Sequence, residues 1–80
     1  MNATLQEMAA GETGRVAGYV KGPSAYREKL LAMGLTRGTL FTVERIAPMG
    51  DPVEIQVRGF ALSLRKNEAS ALLVERGAKS

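Results

Sequence analysis

Apolar and polar residues alternate most cleanly over residues 53–58. Val53, Ile55 and Val57 take one side there, and Glu54, Gln56 and Arg58 take the other. That is the pattern of a half-buried antiparallel strand. Arg58-Gly59 then turns the chain, and Phe60, Leu62 and Leu64 alternate on the way back. Upstream, 39–47 reads as a strand with Phe41 and Val43 on one side. Residues 13–20 read as another, with Val16 and Val20 on one face. Gly14 and Gly18 interrupt that alternation and predict a bulge or a tight bend. Residues 72–75 form a last short strand.

Helical spacing appears in between. Thr4-Leu5-Gln6-Glu7 fits a capping box and starts one short turn, ended at Gly11, whose Leu5 and Met8 fold inward. Gly22-Pro23-Ser24 is a turn and a helix start with Ser24 as N-cap. The helix runs to about Met33, and its Tyr26, Leu30 and Met33 form a stripe facing the core. Leu31 lies off that stripe and is left partly exposed. Gly34 takes the left-handed position that ends the helix, and Leu35 is placed to touch Leu30. Thr36-Arg37-Gly38-Thr39 suits a type II turn with Gly38 at its positive-φ position. Residues 67–71 make one further helical turn.

Five short strands joined mostly by tight turns cannot form an extensive parallel sheet, because parallel pairs need long crossovers. The expectation is a mostly β fold: a small SH3-like antiparallel barrel with one inserted α-helix and a short helical turn before the last strand. The 80 residues make a single domain, 1–80, with 77–80 as a frayed tail. The chain shows no internal repeat or low-complexity segment. A short open barrel leaves a strand edge, so a weak homodimer is one way to cover it.

Composition narrows the function. The chain has neither histidine nor cysteine, which removes the commonest general base, the strongest nucleophile and the usual ligands of zinc and related metals. The glycines form no phosphate loop or dinucleotide fingerprint. An enzyme, a cofactor and a dedicated metal site are therefore not expected. Without cysteine there is no disulfide framework, and the first residues do not have the basic start and apolar run of a signal peptide. No stretch is apolar enough to span a bilayer. The cytoplasm is the expected compartment, with the membrane reached only through a partner. The net charge of +3 raises nucleic acid as an alternative. The cations are nevertheless interleaved with glutamates, and only Arg65-Lys66 are adjacent, so a mixed solvated surface is the better reading.

Three segments offer contact residues. In Ala47-Pro48-Met49-Gly50-Asp51-Pro52, Pro48 and Gly50 suit the second and fourth positions of a β-turn, and Pro52 makes Asp51 extended. The plain reading is a rigid strand connection. The functional one is a stiff loop presenting Met49 and Asp51, which loses little entropy on binding. On the helix, Leu31 beside Arg27 is an exposed leucine flanked by charge. In the segment 62–68, Leu62 and Leu64 belong to the core, and Arg65 and Lys66 can face an acidic surface or simply solvent. The candidate partner-binding residues are Arg27, Leu31, Pro48, Met49, Gly50, Asp51, Pro52 and Arg65.

The ordered set 24–35, Gly38, 45–53 and 62–66, with its Met-Gly-Leu, Ala-Pro-Met-Gly-Asp-Pro and Leu-Arg elements, resembles FeoA, the small cytosolic protein of the bacterial Feo ferrous-iron transport system. The resemblance runs in register from Leu5 to about Val74. It implies an SH3-like barrel that acts as adaptor or activator of FeoB, a membrane permease with a cytosolic GTPase domain. Arg37 stands where the family often has proline before the turn glycine. The same fold occurs as a C-terminal domain of metal-dependent repressors, which makes a regulator-type interaction domain a further alternative. An arginine such as Arg27 or Arg65 supplied in trans to the GTPase is another reading. Set beside the missing imidazole and thiol groups, the resemblance points to modulation of the permease by contact.

Overall fold

The computed structural model describes residues 3–21 and 24–77, apart from the Ser24 side chain. The expected turn at Gly22-Pro23 and the Ser24 cap lie outside the described residues, as does the tail beyond Gly77. In chain order the elements are β1 (Ala3–Thr4), a 3₁₀ turn (Leu5–Glu7), β2 (Thr13–Tyr19), α1 (Ser24–Ala32), β3 (Leu40–Ile46), a second 3₁₀ turn (Pro48–Gly50), β4 (Val53–Val57), β5 (Phe60–Leu64), α2 (Lys66–Ala71) and β6 (Leu72–Arg76). The strands make one antiparallel sheet in the order β1-β6-β2-β3-β4-β5. β1 and β5 are its edges, so the ladder does not close on itself. The sixth strand is β1, where Ala3 and Thr4 pair with Val74 and Leu73. Two residues are too short for any alternation to announce them.

The core follows the sequence pattern closely. Val53, Ile55 and Val57 are buried along β4, with Phe41 and Val43 across from them on β3. Leu5, Met8, Leu30, Leu35, Leu64, Leu72 and Val74 complete it. Glu7 accepts from the Thr4 amide at 2.8 Å, as the capping box requires. At the other end of α1, Leu35 N–H donates to Leu30 O and Gly34 N–H to Leu31 O, both at 3.0 Å, with Gly34 at φ 93°. These are the two bonds of a Schellman ending, as expected. The type II turn is also present, with Gly38 at φ 89° and Thr39 N–H on Thr36 O at 3.1 Å.

Val20 corrects the alternation in β2. Register runs Val16↔Val74 and then Gly18↔Leu73, so Ala17 is a bulge without a partner. One extra residue reverses which side chains face inward. Tyr19 therefore packs against the core, and Val20, expected beside Val16, is exposed. A second bulge falls at Glu44, setting Arg45 opposite Glu54. Phe60 is another correction: the alternation turns it inward, but at the hairpin corner it is 43% exposed and lies beside Gly34 at the end of α1. Along the expected α1 stripe, Leu30 is fully buried, Met33 is half-buried and packs against the core, and Tyr26 is half-buried. Among the described residues no helix is long and apolar enough to cross a membrane.

Candidate functional site

The connection between β3 and β4 is a pinned turn. Gly50 N–H donates to Ala47 O at 2.9 Å and Ala47 N–H to Pro52 O at 3.0 Å. Pro48 thus holds the second turn position and Gly50 the fourth, as the sequence suggests. Between them Met49 sits at φ 67°, ψ 14°. That is the left-handed third position of a type II turn, normally given to glycine. An L-residue there costs roughly 1 kcal/mol. Met49 is also 91% exposed, so no intramolecular packing of its side chain offsets that cost. The Asp51-Pro52 bond is cis.

The far side of the loop is tied to α2. Asp51 Oδ1 accepts from the Lys66 amide at 3.2 Å. Asp51, Pro52, Ser63 and Arg65 line a depression of about 390 Å³. The structure therefore sets Arg65 against Asp51 and Pro52, which directly follow the turn that carries Pro48, Met49 and Gly50. Arg27 and Leu31 stand apart on α1. Arg27 lies 5.9 Å from the centroid of the Tyr19 ring, within cation–π range. The Tyr19 hydroxyl donates to Leu35 O at 2.7 Å, which fixes that ring. Both residues border a cleft of about 340 Å³ with Lys21, Tyr26 and Asn67. Leu31 is 40% exposed, as expected of a leucine off the core stripe.

α2 connects the two regions. Its Glu68 carboxylate, 4% exposed, accepts from the Arg65 amide at 2.9 Å and pairs with the Lys29 ammonium of α1. Burial alone would raise the Glu68 pKa, but the Lys29 and Arg65 hydrogen bonds outweigh it and hold the carboxyl below 4.5. One short helix thus anchors the loop through Lys66 and the long helix through Glu68.

Charge is distributed unevenly on the surface. Arg15, Lys29, Arg45 and Arg76 pair with Glu75, Glu68, Glu54 and Glu12. Among the described residues, Lys21, Arg27, Arg37, Arg58, Arg65 and Lys66 form no ion pair. Among the described residues, no group of three or more Asp or Glu side chains converges as a metal site would need. The sequence did not single out the cleft around Tyr19 and Asn67, because its walls come from three separate elements. It also missed the exposure of Phe60. An apolar residue directly after a Gly turn is a signal that could have suggested it.

The comparisons agree with this architecture. The FeoA domain family matches residues 3–76. A structure of an FeoA-like protein from Clostridium acetobutylicum is similar over 99% of this chain and 91% of that one, with 40% identity and a TM-score of 0.86. The zinc-complexed FeoA of Stenotrophomonas maltophilia, described as a procaryotic SH3 domain protein, has a TM-score of 0.77 at 24% identity over 91% of this chain and 89% of that one, a likeness of fold. A fusion of Fe(2+) transport protein A with the Fe(2+) transporter FeoB from Porphyromonas gingivalis is 32% identical over 71 residues. That match covers 89% of this chain and 8% of the fusion's length.

Proposed function

The chain belongs to the FeoA family, which is associated with ferrous-iron transport, and from that premise we propose that it binds an FeoB-type permease and modulates it by contact. The observation that carries this reading is the Porphyromonas gingivalis fusion, in which an FeoA segment and the transporter share one polypeptide. Joining two modules raises their effective concentration to the millimolar range, so a small and weak contact suffices. Without such a link the contact needs a better surface, and the pinned turn is the candidate for it. Its apolar tip, Met49, is held out in solvent at a conformational cost, Arg65 borders Asp51 and Pro52 at the base of the turn, and Arg27 and Leu31 offer a separate contact on α1. In this reading the protein is a non-catalytic accessory at the cytoplasmic side of the permease. A homodimer plays no part in it.

The test is co-purification with the cytosolic part of the permease. Met49→Glu and Leu31→Glu each place a charge on an exposed position, so the fold is expected to stay intact by circular dichroism while recovery in the pull-down falls. Unchanged recovery with both variants would remove the turn and helix surface from the account.

A further inference from the structure

β5 is an edge strand that none of the usual devices protects. Its five residues, Phe60-Ala61-Leu62-Ser63-Leu64, contain neither charge nor proline, and its register with β4 has no bulge. Natural edges are normally blunted by one of these features or by being very short, as β1 is here. The hairpin is closed by the pair Val57↔Phe60 across the two-residue turn Arg58-Gly59. Such a closing pair exchanges hydrogen bonds, and the pattern then alternates along the strand. Phe60, Leu62 and Leu64 therefore bond to β4, and Ala61 and Ser63 turn their backbone N–H and C=O groups outward. Both residues are exposed, and among the described residues β5 makes no backbone hydrogen bond beyond β4.

Charge decides what can pair there. Arg58 precedes the strand, and Arg65 and Lys66 follow it. None of the three forms an ion pair among the described residues. Arg58, with Arg37, borders a depression of about 440 Å³ beside Phe60. Arg65 borders the one at the other end of the strand, whose Asp51 is engaged by the Lys66 amide. A second copy of β5, laid antiparallel, would set Arg58 against Lys66. Laid parallel, it would set Arg58 against Arg58. Cations meet cations either way, which disfavours self-pairing.

We propose that the outer edge of β5 accepts an extended segment of another protein as an added strand, apolar in its middle and acidic at both ends. Backbone bonds to Ala61 and Ser63 give the attachment, and Arg58 at one end and Arg65 with Lys66 at the other give the selectivity. The proposal rests on the strand and its flanking charges; it shares Arg65 with the surface described above but makes no use of Met49.

The experiment titrates the full chain with short synthetic peptides of alternating valine and threonine, flanked either by glutamates or by lysines. Amide exchange is followed by NMR. The glutamate-flanked peptide is expected to slow exchange at Ala61 and Ser63 selectively and to bind about tenfold more tightly than the lysine-flanked one. The double variant Arg58→Glu, Arg65→Glu should reverse that preference. Ser63→Pro removes an N–H that β4 does not use and should abolish binding while leaving the β4 amides protected. Equal binding of both peptides, or no protection at Ala61 and Ser63, overturns the proposal. So does concentration-dependent protection of those amides without peptide, which would make a second copy the occupant.

Discussion

Met49 occupies a backbone conformation that glycine adopts freely and that costs an L-residue roughly 1 kcal/mol. With its side chain almost wholly in solvent, nothing in the fold requires methionine at that point. Met49→Gly is therefore expected to leave the protein as stable or to stabilise it by up to about 1 kcal/mol. Met49→Val, β-branched at positive φ, should lose about 1 kcal/mol or more. Urea titration of the two variants checks both. Gly14 is the opposite kind of position. A Cβ there would lie 2.9 Å from Phe41 Cζ and 3.1 Å from both Glu75 O and Met8 Cε. Gly14→Ala should lower stability by about 1–3 kcal/mol, as overpacking of a filled core does. The sequence marks Gly14 only as a break in alternation. The close approach of β3, β6 and the first turn is what makes a smaller residue necessary.

At the scale of elements, what could be read in advance were the features with local causes. The alternation of β4, the Schellman ending at Gly34 and the turn at Gly38 each follow from a few neighbouring residues, and each is present. What could not be read depends on pairing. The bulge at Ala17 is defined by its register against β6, and it alone reverses the facing of Val20. β1 exists only because β6 offers it an edge. For the candidate site, the turn, Arg65 and exposed Leu31 were legible. The tie from Asp51 to the Lys66 amide was not, since the two residues are far apart in sequence.

The same scale sets the acid response. Glu68 joins α1 to α2, and its folded pKa lies below the ordinary 4.5. A carboxylate depressed on folding binds fewer protons folded than unfolded in that range. Its stabilisation is therefore complete above about 4.5 and is lost as pH falls through the folded pKa. Glu7 and Glu12 shift in the same direction through their bonds to Thr4 and Arg76. Glu68→Gln should lower stability at neutral pH and flatten the loss between pH about 5 and about 2. Thermal unfolding across that range would show whether the two curves converge in acid.

For the whole molecule, membership of the FeoA family associates the chain with ferrous-iron transport, while its surface carries the proposed mode of action. Six cations without ion pairs among the described residues leave that surface electropositive, in line with the chain's net charge of +3. Association with an acidic partner should weaken as salt rises, because exposed charges are screened over about 10 Å at 0.1 M salt. Measuring the on-rate over a salt series checks this. A domain this small has modest stability, so spending it on a strained, exposed methionine is hard to account for without a partner.

The most direct measurement is a calorimetric titration of the permease's cytosolic part with the wild-type chain and with Met49→Gly. Burying a methionine side chain contributes about 1.5–3 kcal/mol. The account predicts that the glycine variant, equally or more resistant to urea, binds about ten- to a hundredfold more weakly. Equal affinity of the two chains would contradict it.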